Sequence, residues 1–285
     1  MSDLDSPPEA AAKSGSSQSS FAIESAEGLP IRGTFTLPRN ARAYVIIVHG
    51  FKGFREWGFF PWVSEQFARH HIASVRFDMS RNGIGDRPDE FDRLDLFEND
   101  TYSTQLSDLR SVIGYAEAHP ELRHLPLFLL GHSRGGAAVI LTAAATPSVR
   151  GIVTWSSIAS VDRWNDEAKR KWRDEGFIDA TNSRTGQAMR VSTKLLDDCE
   201  TNSEALDIER AVGALQRPAL IVHGVRDESV PVEEGKRIAA AGQTVSLLLI
   251  GNAGHTYGAI HPLVTVPDEL QLAFNISERF VRTYT

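Results

Sequence analysis

The segment Leu127-Phe128-Leu129-Leu130-Gly131-His132-Ser133-Arg134-Gly135-Gly136 restricts what this chain can fold into more than any other. An apolar run with strand character stops at Gly131, and a small-residue run, Ala137 to Ala145, follows with helix character. Between them lies Gly-x-Ser-x-Gly. A serine on a sharp strand-to-helix turn keeps its hydroxyl exposed. The positions two residues to either side come too close to the backbone to tolerate a Cβ, and Gly131 and Gly135 meet that demand. The helix N-terminus beneath the serine favours developing negative charge. The bare pattern is a weak signal, and a Gly-rich turn with a solvated serine is the alternative. Its position between a buried strand and a helix is what gives it meaning.

The rest of the chain supplies the setting for such a turn. Of 285 residues, 41% are hydrophobic and 24% charged, the balance of a soluble globular protein. The length suits one large α/β domain with an insertion, or two small domains. A net charge of -7 argues against a nucleic-acid or anionic-membrane surface. No apolar run is long enough to span a bilayer. A single cysteine, Cys199, rules out an internal disulfide and favours a reducing, cytoplasmic setting. Its acidic neighbours Asp197, Asp198 and Glu200 do not favour a thiolate, so it reads as a space-filling residue. Residues 1–20 are rich in Ser, Ala, Pro and acid, without the basic start and apolar core of a secretory signal, and read as a disordered tail.

Strand and helix patterns alternate from Phe21 onward. Phe21–Ser25 and Ile31–Leu37 flank Glu27-Gly28 as an opening hairpin. Tyr44–Val48 is a continuous β-branched run, as in a strand covered on both faces, and ends in His49-Gly50-Phe51. A helix over Phe59–His70, a strand at Ile72–Phe77, a long loop from Asp78 to Asp100 and a helix over Thr101–Ala118 precede the serine turn. After the strand Gly151–Trp155, the alternation breaks between about Ser156 and Leu215. There Val161, Trp164, Ala168 and Trp172 fall at the spacing of one helix face, Phe177–Val191 reads as a hairpin, and Ser192–Cys199 reads as a helix. This stretch is an inserted cap. The strand Ala219–His223, the helix Glu233–Ala241, the strand Val245–Ile250 and the helix Asp268–Arg282 complete an α/β domain over residues 21–285. Repeated strand–helix units predict a mostly parallel, eight-stranded sheet with helices on both faces, and ligands at the carboxyl ends of its strands.

Serine needs a base to take its proton, and the base needs a third group to orient it. After Ser133 the pattern calls for an acid and then a histidine. Asp227 follows the strand ending in Val222-His223-Gly224, and His255 follows Leu249-Ile250, each on a loop directly after a strand. The competitors are weaker. Glu228 is one residue out of step, Asp197 and Asp198 fit a solvated cap face, and His261 lies past a turn before Pro262. His49, His132 and His223 touch the motifs but occupy structural slots. Two backbone N–H groups are candidates to hold a developing oxyanion: Arg134, next to the serine, and Phe51, on the loop after Tyr44–Val48. No His or Cys spacing supports a metal site, and no cofactor is called for.

Together His49-Gly50-Phe51, Arg76-Phe77-Asp78 with Gly83-x-Gly85-Asp86, the serine turn, His223 through Pro231 and Gly254-His255 resemble the α/β-hydrolase superfamily from about Phe21 to the C-terminus. Within it the chain is similar to bacterial esterases of the cinnamoyl/feruloyl type and to dienelactone-hydrolase and prolyl-oligopeptidase-like groups. The cap matches that of the cinnamoyl esterases in position. Met79-Ser80-Arg81-Asn82-Gly83-Ile84 stands where relatives often carry a shorter Arg-Gly-His-Gly form, and Ser133 stands where dienelactone hydrolases usually carry cysteine. The resemblance implies a serine hydrolase of small carboxylic esters, of the aryl or cinnamoyl kind, using Ser133, Asp227 and His255. Its partner would be a small-molecule ester, not nucleic acid or membrane, and a homodimer is compatible with such a chain. A peptidase or amidase of short substrates and a non-catalytic ligand-binding scaffold are the rival readings. Trp164 and Trp172 are the candidates to roof the substrate pocket.

Overall fold

The computed structural model describes residues 15–285. Eight strands form one sheet in the order β1-β2-β4-β3-β5-β6-β9-β10. These are β1 (Ser16–Glu24), β2 (Pro30–Pro38), β3 (Ala43–Val48), β4 (Ile72–Phe77), β5 (Leu127–His132), β6 (Val149–Trp155), β9 (Ala219–Gly224) and β10 (Val245–Ile250). The first two pair antiparallel with each other, β2 pairs antiparallel with β4, and every other pairing is parallel. This is the mostly parallel sheet the alternation predicts, and it has the α/β-hydrolase arrangement.

The central strands are fully buried, and their side chains divide by the two-residue period of a strand. Tyr44, Ile46 and Val48 of β3 face one core, while Ala43, Val45 and Ile47 face the other. In β5, Leu127 and Leu129 separate from Phe128 and Leu130 in the same way. The first core is covered by α3 (Tyr102–Ala118), α4 (Arg134–Ala145), α7 (Ile208–Ala214) and α8 (Val232–Ala241). The second is covered by α1 (Phe60–Arg69) and α9 (Asp268–Thr283), through Val63, Phe67, Leu270 and Phe274. Among the described residues, no helix is long and apolar enough to cross a membrane.

The cap lies on the first face. It holds α5 (Asp166–Glu175), the two-stranded hairpin β7 (Phe177–Asp179) and β8 (Arg190–Ser192), α6 (Lys194–Thr201) and then α7. The expected cap hairpin and the helix after it are both present. The expected single helix face from Val161 to Trp172 is corrected, because α5 begins only at Asp166. The Asn165 side chain accepts from Ala168 N at 2.9 Å and starts the helix there, so Val161 and Trp164 precede it.

Two further boundaries differ from expectation. The segment read as a tail over 1–20 contributes Ser16–Ser20 to β1, paired with Thr34–Pro38, and its residues 1–14 lie outside the described residues. The backbone ladder holds these serines, and their polar side chains carry no strand signal of their own. The long loop Asp78–Asp100 contains a short helix, α2 (Leu94–Phe97), and an isolated bridge between Ile84 and Phe91.

Candidate active site

All the parallel strands deliver their carboxyl ends to one edge of the sheet. Ser133 follows β5 there with φ 57° and ψ -122°, a strained conformation for a residue with a side chain. It joins β5 directly to α4. The glycines around it are sterically required. A Cβ on Gly131 would lie 2.1 Å from Gly135 O, and one on Gly135 would lie 2.4 Å from His49 O. Gly135→Ala therefore pushes α4 against the backbone of the β3 loop, and a cost near the upper end of ~1–3 kcal/mol is expected. Thermal unfolding checks this against Gly114→Ala in α3, where no atom lies within 4 Å of the added Cβ. That control should gain up to about 1 kcal/mol from helix propensity. Equal melting temperatures for the two variants would contradict the packing described for the turn.

Asp227 and His255 meet as the sequence predicts. His255 Nδ1–H donates to Asp227 Oδ2 at 2.8 Å. Asp227 is buried, and its other oxygen accepts from Ser229 N at 2.9 Å and Val230 N at 2.8 Å. Burial acts to raise the Asp227 carboxyl, but the hydrogen bond and charge of His255 and the Val230 N–H outweigh it and hold the carboxyl below its ordinary range. With Nδ1–H committed to the carboxylate, neutral His255 presents Nε2 as a lone pair. No hydrogen bond joins Ser133 Oγ to His255 among the described residues, although both line one cleft. Catalytic contacts of this kind often tighten only with substrate.

The other histidines support this arrangement. His132 Nε2–H donates to His255 O at 2.9 Å, tying the β5 end to the histidine loop. Burial and the neighbouring His255 push His132 down to about 3, so it stays neutral. His223 Nε2–H donates to Val230 O at 2.9 Å and sits 3.6 Å from Asp227 Oδ2. His49 Nδ1–H donates to Gly50 O at 2.9 Å and its Nε2 accepts from Met79 N at 3.2 Å, fixing the loop that carries Phe51. His261 stands apart, accepting from Gly58 N at 2.9 Å. Cys199 is buried, and burial raises its thiol to about 12. Glu228, Asp197 and Asp198 do not line the cleft.

The loop of Phe51 packs directly on the serine turn. A Cβ on Gly50 would lie 2.9 Å from both His132 O and the Ser133 Cβ. As the first residue of α4, Arg134 has an N–H without an intrahelical acceptor. Phe51 N–H likewise has no partner among the described residues. Both residues line the cleft with Ser133 and His255, so both candidate oxyanion donors stand beside the serine. Among the described residues, no group of three or more His, Cys, Asp or Glu side chains could hold a metal ion.

The cleft encloses about 590 Å³ between this edge and the cap. Trp164 lines it, with Ile158, Ile178, Val191 and Leu195 of the cap. Trp172 does not. It is fully buried behind Trp164, with ring centroids 4.9 Å apart at 67°, and its Nε1–H donates to Val191 O at 3.0 Å. The reading of Trp172 as pocket roof is corrected: the i to i+8 spacing from Trp164 spans a helix start, so Trp172 sits behind Trp164 in an edge-to-face contact. The two residues thus separate in experiment. Trp172→Ala should cost about 3–5 kcal/mol of stability. Trp164→Ala should cost less, because Trp164 lines the cleft. Melting curves of the two variants check this, and the reverse pattern would contradict the placement.

Sequence reading missed two cleft-side features. Ser156, directly after β6 with φ 50°, donates to Tyr257 OH at 3.2 Å, which donates to Val222 O at 3.0 Å, bracing the floor under Asp227. Lys52 and the Arg134 side chain also face this region, and only the packing of the cap against the oxyanion loop reveals their setting.

Fold and serine turn define a class, and comparisons with known proteins agree with it. A family model described as serine aminopeptidase, S33, matches residues 39–174. Est1E from Butyrivibrio proteoclasticus with ferulic acid bound aligns over 93% of this chain and 98% of its own, at 22% identity and a TM-score of 0.74. The esterase domain of a Rhodothermus marinus protein aligns over 94% and 99%, at 20% identity and 0.66. A dienelactone hydrolase from Anabaena variabilis aligns over 95% and 99%, at 16% identity and 0.64. No curated protein matches the chain. The chain has the α/β-hydrolase fold. Within that class, the family-model match supports a hydrolase.

Proposed function

We propose that the protein is a serine hydrolase that cleaves small carboxylic esters through an acyl-enzyme. The observation that carries this reading is the 2.8 Å hydrogen bond from His255 to buried Asp227, in one cleft with a serine held at φ 57°. Ser133 Oγ attacks the ester carbonyl while His255 Nε2 takes its proton. The N–H groups of Phe51 and Arg134 hold the oxyanion. His255 then returns the proton to the departing alcohol, leaving the acyl group on Ser133. Water, deprotonated by the same nitrogen, releases the acid and restores the serine. Asp227 stays ionised, orienting the imidazole and stabilising its cation. The scheme needs no cofactor or metal.

The shape and lining of the cleft support this substrate class. A volume of about 590 Å³ fits a compact or aryl acid, and Trp164 and Phe51 offer flat apolar surface for it. Est1E, which holds ferulic acid, supports an aryl acid as the first to test. The description of the matched family model favours a second reading, cleavage of short aminoacyl amides by the same residues. Turnover of aryl and short-chain esters against aminoacyl anilides separates the two. The ester reading predicts the higher kcat/KM on esters after correction for their greater intrinsic reactivity. Anilides favoured after that correction would establish the amidase reading instead.

A further inference from the structure

The charges lining the cleft do not follow those of the whole chain. The protein carries a net charge of -7, yet the cleft is lined by Lys52, Arg134 and Arg163 against one carboxylate, Asp179. A smaller cavity of about 290 Å³ adjoins it, sharing Lys52, Trp57 and Ser183. This second cavity is lined by Lys52 and Arg184 with Phe54, Trp57, Phe91 and His261, and by no acidic residue.

These cations differ in what already neutralises them. Arg163 is satisfied by Glu234, with both carboxylate oxygens 2.7 Å from Nη1. Arg134 lies 4.0 Å over the Tyr102 ring and 3.6 Å from Asp100 Oδ2, and its Nε and Nη2 have no hydrogen-bond acceptor. Lys52 has no acidic partner among the described residues. Its ammonium donates to Thr181 O at 3.1 Å, a neutral carbonyl on the cap hairpin, and lies 5.6 Å from the Phe51 ring centre. An ammonium has three donors, so two remain. Burial lowers the Lys52 ammonium from its ordinary range, the mark of a cation short of compensating charge. Arg184 Nη2 reaches only the carbonyl of Asp89, at 3.4 Å, and makes no ion pair among the described residues.

Lys52 directly follows Phe51, the candidate oxyanion donor, and has φ 57°. A half-buried, unpaired cation thus stands on the loop of the candidate oxyanion donor, where the two cavities meet. We propose that the ester substrate carries an anionic group, a carboxylate, which Lys52 recognises at the junction of the two cavities with Arg184 beside it. The inference rests on the hydrolase reading and names the substrate class of the same site. A carboxylate fills the open donors of Lys52 and gains a charge-assisted bond in a partly desolvated setting. A neutral ester leaves that ammonium without a counter-charge.

The test pairs acid-bearing esters with neutral ones of matched shape. One pair is the 4-nitrophenyl monoester of adipic acid and 4-nitrophenyl hexanoate, with the carboxylate on the acyl side. The other is 4-acetoxybenzoate and phenyl acetate, with the carboxylate on the alcohol side and the rates corrected for leaving-group reactivity. In at least one pair the wild type should favour the acid by roughly tenfold or more in kcat/KM, carried mainly by KM. Lys52→Met should remove most of that preference and Arg184→Gln part of it. Arg184 is exposed, so its variant stays informative if Lys52→Met disturbs the loop. No preference in either pair, or a preference unchanged in both variants, overturns the proposal. Failure of the hydrolase reading is a separate result, in which no ester of either pair is turned over, or all are turned over equally by Ser133→Ala.

Discussion

Ser133→Ala lowers kcat for a short activated ester by about 10⁶-fold, the scale on which a serine nucleophile acts together with its base. On the proposed mechanism the substitution removes the one atom that forms the acyl bond, and it removes little else. Ser133 is only partly buried, and its side chain makes no helix-capping hydrogen bond. The bond from His255 to Asp227, and that from His132 to the His255 carbonyl, do not involve it. The variant should therefore fold and melt like the wild type. A residual acceleration of about 10³–10⁴ over water is expected from the oxyanion donors and substrate binding alone. Steady-state kinetics with 4-nitrophenyl acetate, alongside a melting curve, read both quantities. Activity within tenfold of the wild type would exclude Ser133 as the nucleophile.

Asp227→Asn is expected to cost about 10⁴-fold in kcat for a different reason. An asparagine carbonyl can still accept from Ser229 N and Val230 N, so the turn after β9 should persist. The amide NH2 then faces His255 Nδ1, where the carboxylate oxygen accepted before. It donates rather than accepts, which moves the imidazole proton to Nε2 and removes the lone pair that must take the serine proton. The stability effect depends on pH in a known direction. Because the folded state holds the Asp227 carboxyl below its ordinary range, the carboxylate stabilises the fold above the unfolded-state pKa. That contribution disappears as pH falls through the folded-state pKa. The wild type should exceed the variant in stability near neutrality, and the gap should narrow in acid. Kinetics near neutrality and denaturation across the acid range check the two halves. Unchanged kcat would exclude Asp227 as the orienting group.

What the sequence makes legible follows burial. Strands β3, β4 and β9 have boundaries close to those read from apolar runs, because a strand between helical layers must be apolar on both faces. Ser133, Asp227 and His255 each follow such a strand, and their meeting needs only the parallel order of the sheet. The first half of β1 was not legible. Ser16–Ser20 is a polar edge segment held by its backbone ladder to β2, and its side chains show no period. The short α2 is too brief for helical periodicity to register. In the cap, the spacing of Trp164 and Trp172 suggested a shared face, whereas the Asn165 cap begins the helix between them and turns Trp172 into the core. The setting of Lys52 depends on a carbonyl 129 positions along the chain, on the cap hairpin. No local pattern encodes that contact.

The central claim is that Ser133 Oγ is the atom that becomes acylated, and covalent trapping tests it most directly. The protein is treated with a fluorophosphonate, digested, and the modified peptide sequenced by mass spectrometry. The account predicts a single stoichiometric adduct on Ser133, absent from Ser133→Ala and slowed strongly in Asp227→Asn. An adduct on a different serine that tracks loss of ester turnover, or full turnover in protein left unmodified at Ser133, would contradict it.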